Sequence, residues 1–226
     1  MLLLAVDTSG KFGGIALARC DDDTCDVVET VPLVGGTFSA QLVPQIAELL
    51  SKHGSAKRDI GAFAVATGPG SFTGLRVGLA AIQALAEVLG KPIAGISLLE
   101  AIASASSVTG RVLALMDAGR QEVFAGTYEI VPKSRDVRAI DERLARIDEL
   151  EPAKGEHIVT PDQNVSDFLL RKGVKAEVIH RPGTDSLAHL GWRKILAGDT
   201  VPPEQLEANY IRQSDAEIFS KTQGLS

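Results

Sequence analysis

Leu2-Leu3-Leu4-Ala5-Val6-Asp7-Thr8-Ser9-Gly10 opens the chain, and Val112-Leu113-Ala114-Leu115-Met116-Asp117-Ala118-Gly119 follows the same pattern near the middle. Each is a short, unbroken apolar run that ends in aspartate and a turn of small residues. An apolar run of this length without alternation is the signature of a strand covered on both faces. A carboxylate at the end of such a strand, beside turn N–H groups, can face a phosphate-bound metal. The competing reading is that Asp7 and Asp117 only organise their own turns.

The elements around the two runs come in the same order. In the first half, residues 15–19 and 27–31 read as further strands joined by a turn at 21–24. A helix runs over 39–50 and is ended by Gly54, and a strand covers 62–66. A long helix at 71–89 closes on Gly90, a strand covers 92–96, and Ser97 caps a helix through 104. In the second half, strands are expected at 122–131, from 137 to 140, at 157–160 and at 176–180. Helices are expected at 165–171 and 186–196, and 131–156 reads as charged and irregular. The Ser/Thr/Ala/Gly-rich stretch 104–110 separates the halves, giving expected domains 1–108 and 109–226. Each is an α/β unit, a mixed sheet flanked by helices.

Composition narrows the functions. The 226 residues carry 29 acidic and 23 basic side chains, a net charge of −6. That balance argues against a protein that grips nucleic acid alone. The four histidines are scattered with no metal-ligand spacing, so no metal site is expected. Cys20 and Cys25 read as reduced surface thiols. No membrane span or leader is expected, and the chain reads as cytoplasmic. No nucleophile–base pair can be assembled, so no catalytic residue is assigned.

Thr67-Gly68-Pro69-Gly70-Ser71-Phe72-Thr73-Gly74-Leu75-Arg76-Val77-Gly78 follows a strand and opens a helix. It is neither a Walker A loop nor a dinucleotide fingerprint. Ser71 can cap the helix, but Gly74 and Gly78 lie inside it, each costing about 0.5–1 kcal/mol relative to alanine. The reading favoured over anion binding is close packing against another helix, either 39–50 of the same chain or one from a second subunit. An active phosphotransferase built on Asp7 and Asp117 is the alternative. It lacks a base, and its only late adenosine contact would be Arg181-Pro182-Gly183-Thr184. A protease finds neither a zinc site nor a triad.

Several segments resemble the TsaB (YeaZ) family: residues 4–9, the run 68–78, residues 92–100, residues 116–124, and Asn209-Tyr210-Ile211-Arg212 near the end. The chain departs from the family with Phe38-Ser39-Ala40 where a histidine is often found, and with Gly10 where Thr is common. The resemblance implies two RNase H-like lobes of the actin/Hsp70-like ATPase (ASKHA) fold. It implies a non-catalytic subunit in the making of N6-threonylcarbamoyladenosine beside the tRNA anticodon, partnered with the paralogue TsaD and the ATPase TsaE. Contact with tRNA would come only through the complex, and two copies would pair when TsaD is absent. Asp7, Thr8, Ser9, Asp117 and Gly119 would then be a vestigial nucleotide cleft, binding ATP and magnesium weakly or not at all. Leu42, Ile46, Ser71, Phe72, Thr73, Gly74, Arg76, Val77, Gly78 and Ala81 would form the partner face.

Overall fold

A computed structural model describes residues 1–34 and 36–211. The first sheet contains β1 (Leu2–Asp7), β2 (Phe12–Cys20), β3 (Cys25–Val34), β4 (Ile60–Gly68) and β5 (Ile93–Ser97). Its spatial order is β3-β2-β1-β4-β5. The second sheet contains β6 (Gly110–Gly119), β7 (Glu122–Ile130), β8 (Val137–Arg146), β9 (His157–Thr160) and β10 (Glu177–Val178). Its order, β8-β7-β6-β9-β10, repeats the first strand for strand. The first strand of each unit is central. β1 pairs antiparallel with β2 and parallel with β4, and β6 pairs in the same way with β7 and β9. That is why Leu3 to Val6 and Val112 to Leu115 are apolar without alternation, since both faces of each strand are buried.

Among the described residues, five α-helices cover the sheets: α1 (Phe38–Lys52), α2 (Phe72–Leu89), α3 (Leu98–Ser104), α4 (Gln163–Arg171) and α5 (Thr184–Leu196). Local sequence sets their ends. The Ser71 side chain accepts from the Gly74 N–H at the start of α2, and Gly90 ends it with φ 62°. Ser97 caps α3 through the Leu99 N–H.

The helices do not stay with the sheet they follow in sequence. α1 and α2 cover one face of the first sheet. The other face is covered by α5, through Leu187, Ala188, Leu190 and Trp192. α3, which follows β5, packs through Leu99, Ile102 and Ala103 mainly on the second sheet. α4 covers that sheet's other face. The break at 104–110 therefore divides the two sheets but not the two packed units.

Three local readings are corrected. Cys20 is buried and stands opposite Cys25 across the β2–β3 hairpin, where the two form a disulfide rather than reduced surface thiols. Part of the charged stretch at 131–156 is the ten-residue edge strand β8, whose charged side chains reflect exposure and not irregularity. The expected strand at 176–180 shrinks to Glu177–Val178.

Candidate functional site: an internally bonded aspartate cleft and an outward helix face

β1 ends in the first aspartate turn. Asp7 Oδ1 accepts from the Ser9 N–H at 2.8 Å, which closes an Asx turn. Thr8, only 2 % exposed, donates its hydroxyl to the Gly74 carbonyl at 2.7 Å. The Ser71 N–H donates to the Ser9 carbonyl at 2.6 Å. The start of α2 thus lies directly on this turn. A Cβ on Gly74 would meet the Thr8 carbonyl oxygen, and one on Gly78 would meet the Thr8 hydroxyl. The two glycines admit the β1 turn, not a second helix. Burial pushes the Asp7 carboxyl above its ordinary range, partly offset by hydrogen bonds from Ser9 and by the Arg181 charge.

β6 ends in the second aspartate turn, and here every carboxylate oxygen has a donor. Asp117 Oδ1 accepts from the Gly119 N–H at 2.9 Å, and Oδ2 accepts from Asn164 Nδ2 at 2.9 Å. Gly119 itself turns with φ 72°, a conformation that favours glycine. Asp162 Oδ2 accepts from the Asp117 N–H at 2.8 Å, and its Oδ1 accepts from Arg181 Nη2 at 2.8 Å. The other terminal nitrogen of Arg181, Nη1, lies 3.2 Å from Met116 Sδ.

Arg181 therefore stands between the two turns, bonded to the second and acting electrostatically on the first. Its charge pairs with Asp162 and lowers the Asp7 carboxyl from the value that burial alone would give. Asp162 and Asn164 escaped the sequence reading as partners of Asp117, and Arg181 as the partner of Asp162. No spacing rule joins position 117 to 162, 164 and 181; only the β6–β9 pairing does. Among the described residues no group of acidic, histidine or cysteine side chains is arranged to hold a metal.

The α1–α2 side has a different character. Leu42 and Ile46, expected on the partner face, are core residues 1 % and 2 % exposed. Gly74 and Gly78 also point inward. In these four cases helical spacing chose the buried side of α1 and α2. Ser71, Thr73 and Arg76 are exposed, and Phe72, Val77 and Ala81 are half-buried at the margin. The outward side also carries Ala80, Ala84, Glu87 and Val88, with Val43 on neighbouring α1. α2 is long and apolar enough to cross a membrane by length and composition, yet only 33 % of it is buried in the fold. Arg76, Gln83 and Glu87 interrupt its apolar character.

A C-terminal strap runs beside α2. Gln83 Nε2 donates to the Pro203 and Leu206 carbonyls at 3.0 and 2.8 Å. Farther along, Arg76 Nε donates to the Tyr210 hydroxyl at 3.2 Å, while its guanidinium lies 3.8 Å above the Phe72 ring. Arg212, the last residue of the family-like segment, lies outside the described residues.

Comparison with known proteins places this architecture. The model of the TsaD family, tRNA N6-adenosine threonylcarbamoyltransferase, matches residues 32–186. The tRNA threonylcarbamoyladenosine biosynthesis protein TsaB of Bacillus subtilis is 30% identical, with 96% of each chain covered. The chain belongs to the TsaB (YeaZ) family. TsaB of Escherichia coli is 27% identical, again over 96% of each chain. YeaZ from Pseudomonas aeruginosa superposes with a TM-score of 0.73 at 24% identity, covering 92% of this chain and 100% of that one. The two repeated sheets are the RNase H-like lobes of the actin/Hsp70-like fold, as the TsaB resemblance implied.

Proposed function

We propose that this chain takes part in the biosynthesis of N6-threonylcarbamoyladenosine in tRNA as a non-catalytic subunit. It binds and activates a TsaD-type paralogue through the outward side of α1 and α2, within a cytoplasmic complex that a TsaE-type ATPase joins. The relationship to TsaB proteins supports the pathway. One observation carries the non-catalytic part: both oxygens of Asp117 and both of Asp162 are already engaged by donors of this chain. Those bonds hold the two carboxylates to their own turn, to Asn164 and to Arg181, which supports a structural role for them. No cofactor is therefore assigned to the chain. The net charge of −6 supports tRNA contact through the complex and not through this subunit alone.

The test is reconstitution of tRNA threonylcarbamoylation from purified TsaD-type and TsaE-type proteins, threonylcarbamoyl-adenylate and ATP, with and without this chain. Modification should require the chain and should survive alanine at both Asp7 and Asp117. A double variant that still binds its partner but supports no modification would return the phosphotransferase reading. Modification that proceeds equally well without the chain would sink the proposal altogether.

A further inference from the structure

Cys20 and Cys25 form the last register pair of the β2–β3 hairpin and close a disulfide around the turn 21–24. The two sulfurs are not equally open. Cys20 is 3 % exposed, whereas Cys25 is half-buried. Their sequence separation is 5, so the bond restricts little of the unfolded chain and its loss leaves the fold standing. The pair also lies inside the contact between the first sheet and α5, in one apolar cluster with Leu187, Ala188 and Trp192. Trp192 Nε1 donates to the Asp21 carbonyl at 2.8 Å, which ties α5 to the hairpin turn itself. Asp22 and Asp23 stand exposed on that turn.

From this arrangement we propose that Cys20–Cys25 is a reversible thiol–disulfide site whose reductant is a dithiol. A thiolate of the dithiol attacks the Sγ of Cys25, the more open of the two. The bond between the two cysteines breaks, and Cys20 leaves as a thiolate that takes up a proton. The second thiolate of the reductant then attacks the reductant's own sulfur in the mixed disulfide. That closes the reductant's disulfide and releases Cys25, which is protonated in turn. Two electrons and two protons pass to the chain. A dithiol is favoured over glutathione because the acidic turn repels an anionic monothiol. Two unbonded sulfurs need more room than a bonded pair, and this site is closely packed. Reduction therefore shifts the turn, and the Trp192 contact registers the shift at α5. The inference is independent of the pathway assigned to the chain.

Redox titration of the purified full chain tests it, with mixtures of reduced and oxidised dithiothreitol as the probe. Alkylation and intact mass count free thiols, and fluorescence reports Trp192, the only tryptophan in the sequence. Both thiols should appear together in one two-electron transition, with the fluorescence change at the same midpoint and far-UV circular dichroism unchanged. The double variant Cys20→Ser/Cys25→Ser should show no redox-dependent fluorescence. The remaining thiol of Cys20→Ser should be alkylated about tenfold or more faster than that of Cys25→Ser, because the reagent reaches only the open sulfur. At equal thiol concentration glutathione should reduce the pair about tenfold more slowly than dithiothreitol, and Asp22→Asn/Asp23→Asn should narrow that gap. Equal rates in the wild-type chain would overturn the dithiol preference. A pair that stays oxidised in excess dithiothreitol, stays reduced in excess oxidant, or unfolds the chain on reduction overturns the site. Titration without a fluorescence change overturns its coupling to α5.

Discussion

Thr8 and Gly74 are joined by a 2.7 Å hydrogen bond, hydroxyl to carbonyl, across 66 residues of sequence. The bond fixes the first aspartate turn to the opening turn of α2, and the missing side chain of Gly74 makes the approach possible. Two effects oppose each other in Gly74→Ala. Helix propensity favours alanine by about 1 kcal/mol. The clash of the new methyl with the Thr8 carbonyl costs about 1–3 kcal/mol or more, because backbone cannot rotate out of the way. Clash should win, and chemical denaturation should show a net loss. Thr8→Val removes only the hydrogen bond and should cost about 1 kcal/mol. A stabilised Gly74→Ala would mean that the turn does not rest on α2.

Asp7 gives a pH dependence with a defined sign. Burial raises its carboxyl above the unfolded value of 3.8, so the folded chain holds the proton more tightly than the unfolded chain. Its ionisation therefore removes stability as pH rises from about 3.8 through the raised folded value, and the penalty is complete above that value. Asp7→Asn keeps an acceptor for the Ser9 N–H and cannot ionise. Its stability relative to wild type should grow through that window, level off toward neutral pH, and vanish in acid. The reverse order at pH 7 would show that attraction to Arg181 outweighs burial. Arg181→Ala should lift the Asp7 carboxyl further, which carbon-13 NMR titration of the Asp7 side chain would register.

The crossing of α5 to the first sheet predicts that residues 1–108 are not a self-sufficient unit. Without α5, the face lined by Leu3, Ala5, Ala16, Ala18, Ala62 and Ala64 lies open to water. The fragment should be insoluble or unfolded, whereas the same segment joined by a short linker to residues 180–199 should fold. In the intact chain, Leu187, 0 % exposed, is the probe: Leu187→Ala should cost about 2–5 kcal/mol. A cooperative melt from the isolated 1–108 fragment would contradict this packing.

The strand–aspartate–turn repeat, the order of elements and most helix ends were legible in the sequence, because each is local. Ser71, Ser97 and Gly90 act within a turn of where they stand. What was not legible is what each buried face meets. Apolar periodicity reports that Leu187 and Leu190 are covered, but not that the covering sheet is the first one. Similarly, glycine at 74 and 78 announces close approach without naming Thr8 as the neighbour. At the site, Asp7 and Asp117 could be picked out as strand-end carboxylates. Apart from the local Gly119 N–H, the donors that occupy Asp117 and Asp162 come from three positions brought together only by the second lobe's fold.

The exchange of α3 and α5 also sets a timetable for the chain as it leaves the ribosome. β1 to β5 are complete by Ser97, but the helix that covers their second face ends at Leu196. At translation rates of about 5–20 residues per second, that sheet waits roughly 5–20 s with an alanine-rich face uncovered. The contacts that end the wait join residues nearly 200 positions apart, as between β1 and α5. Closure of such long loops is the slow part of folding. Newly made chains of this protein should therefore engage holding chaperones until the last third is synthesised, and the two lobes should become protease-resistant together and not in succession.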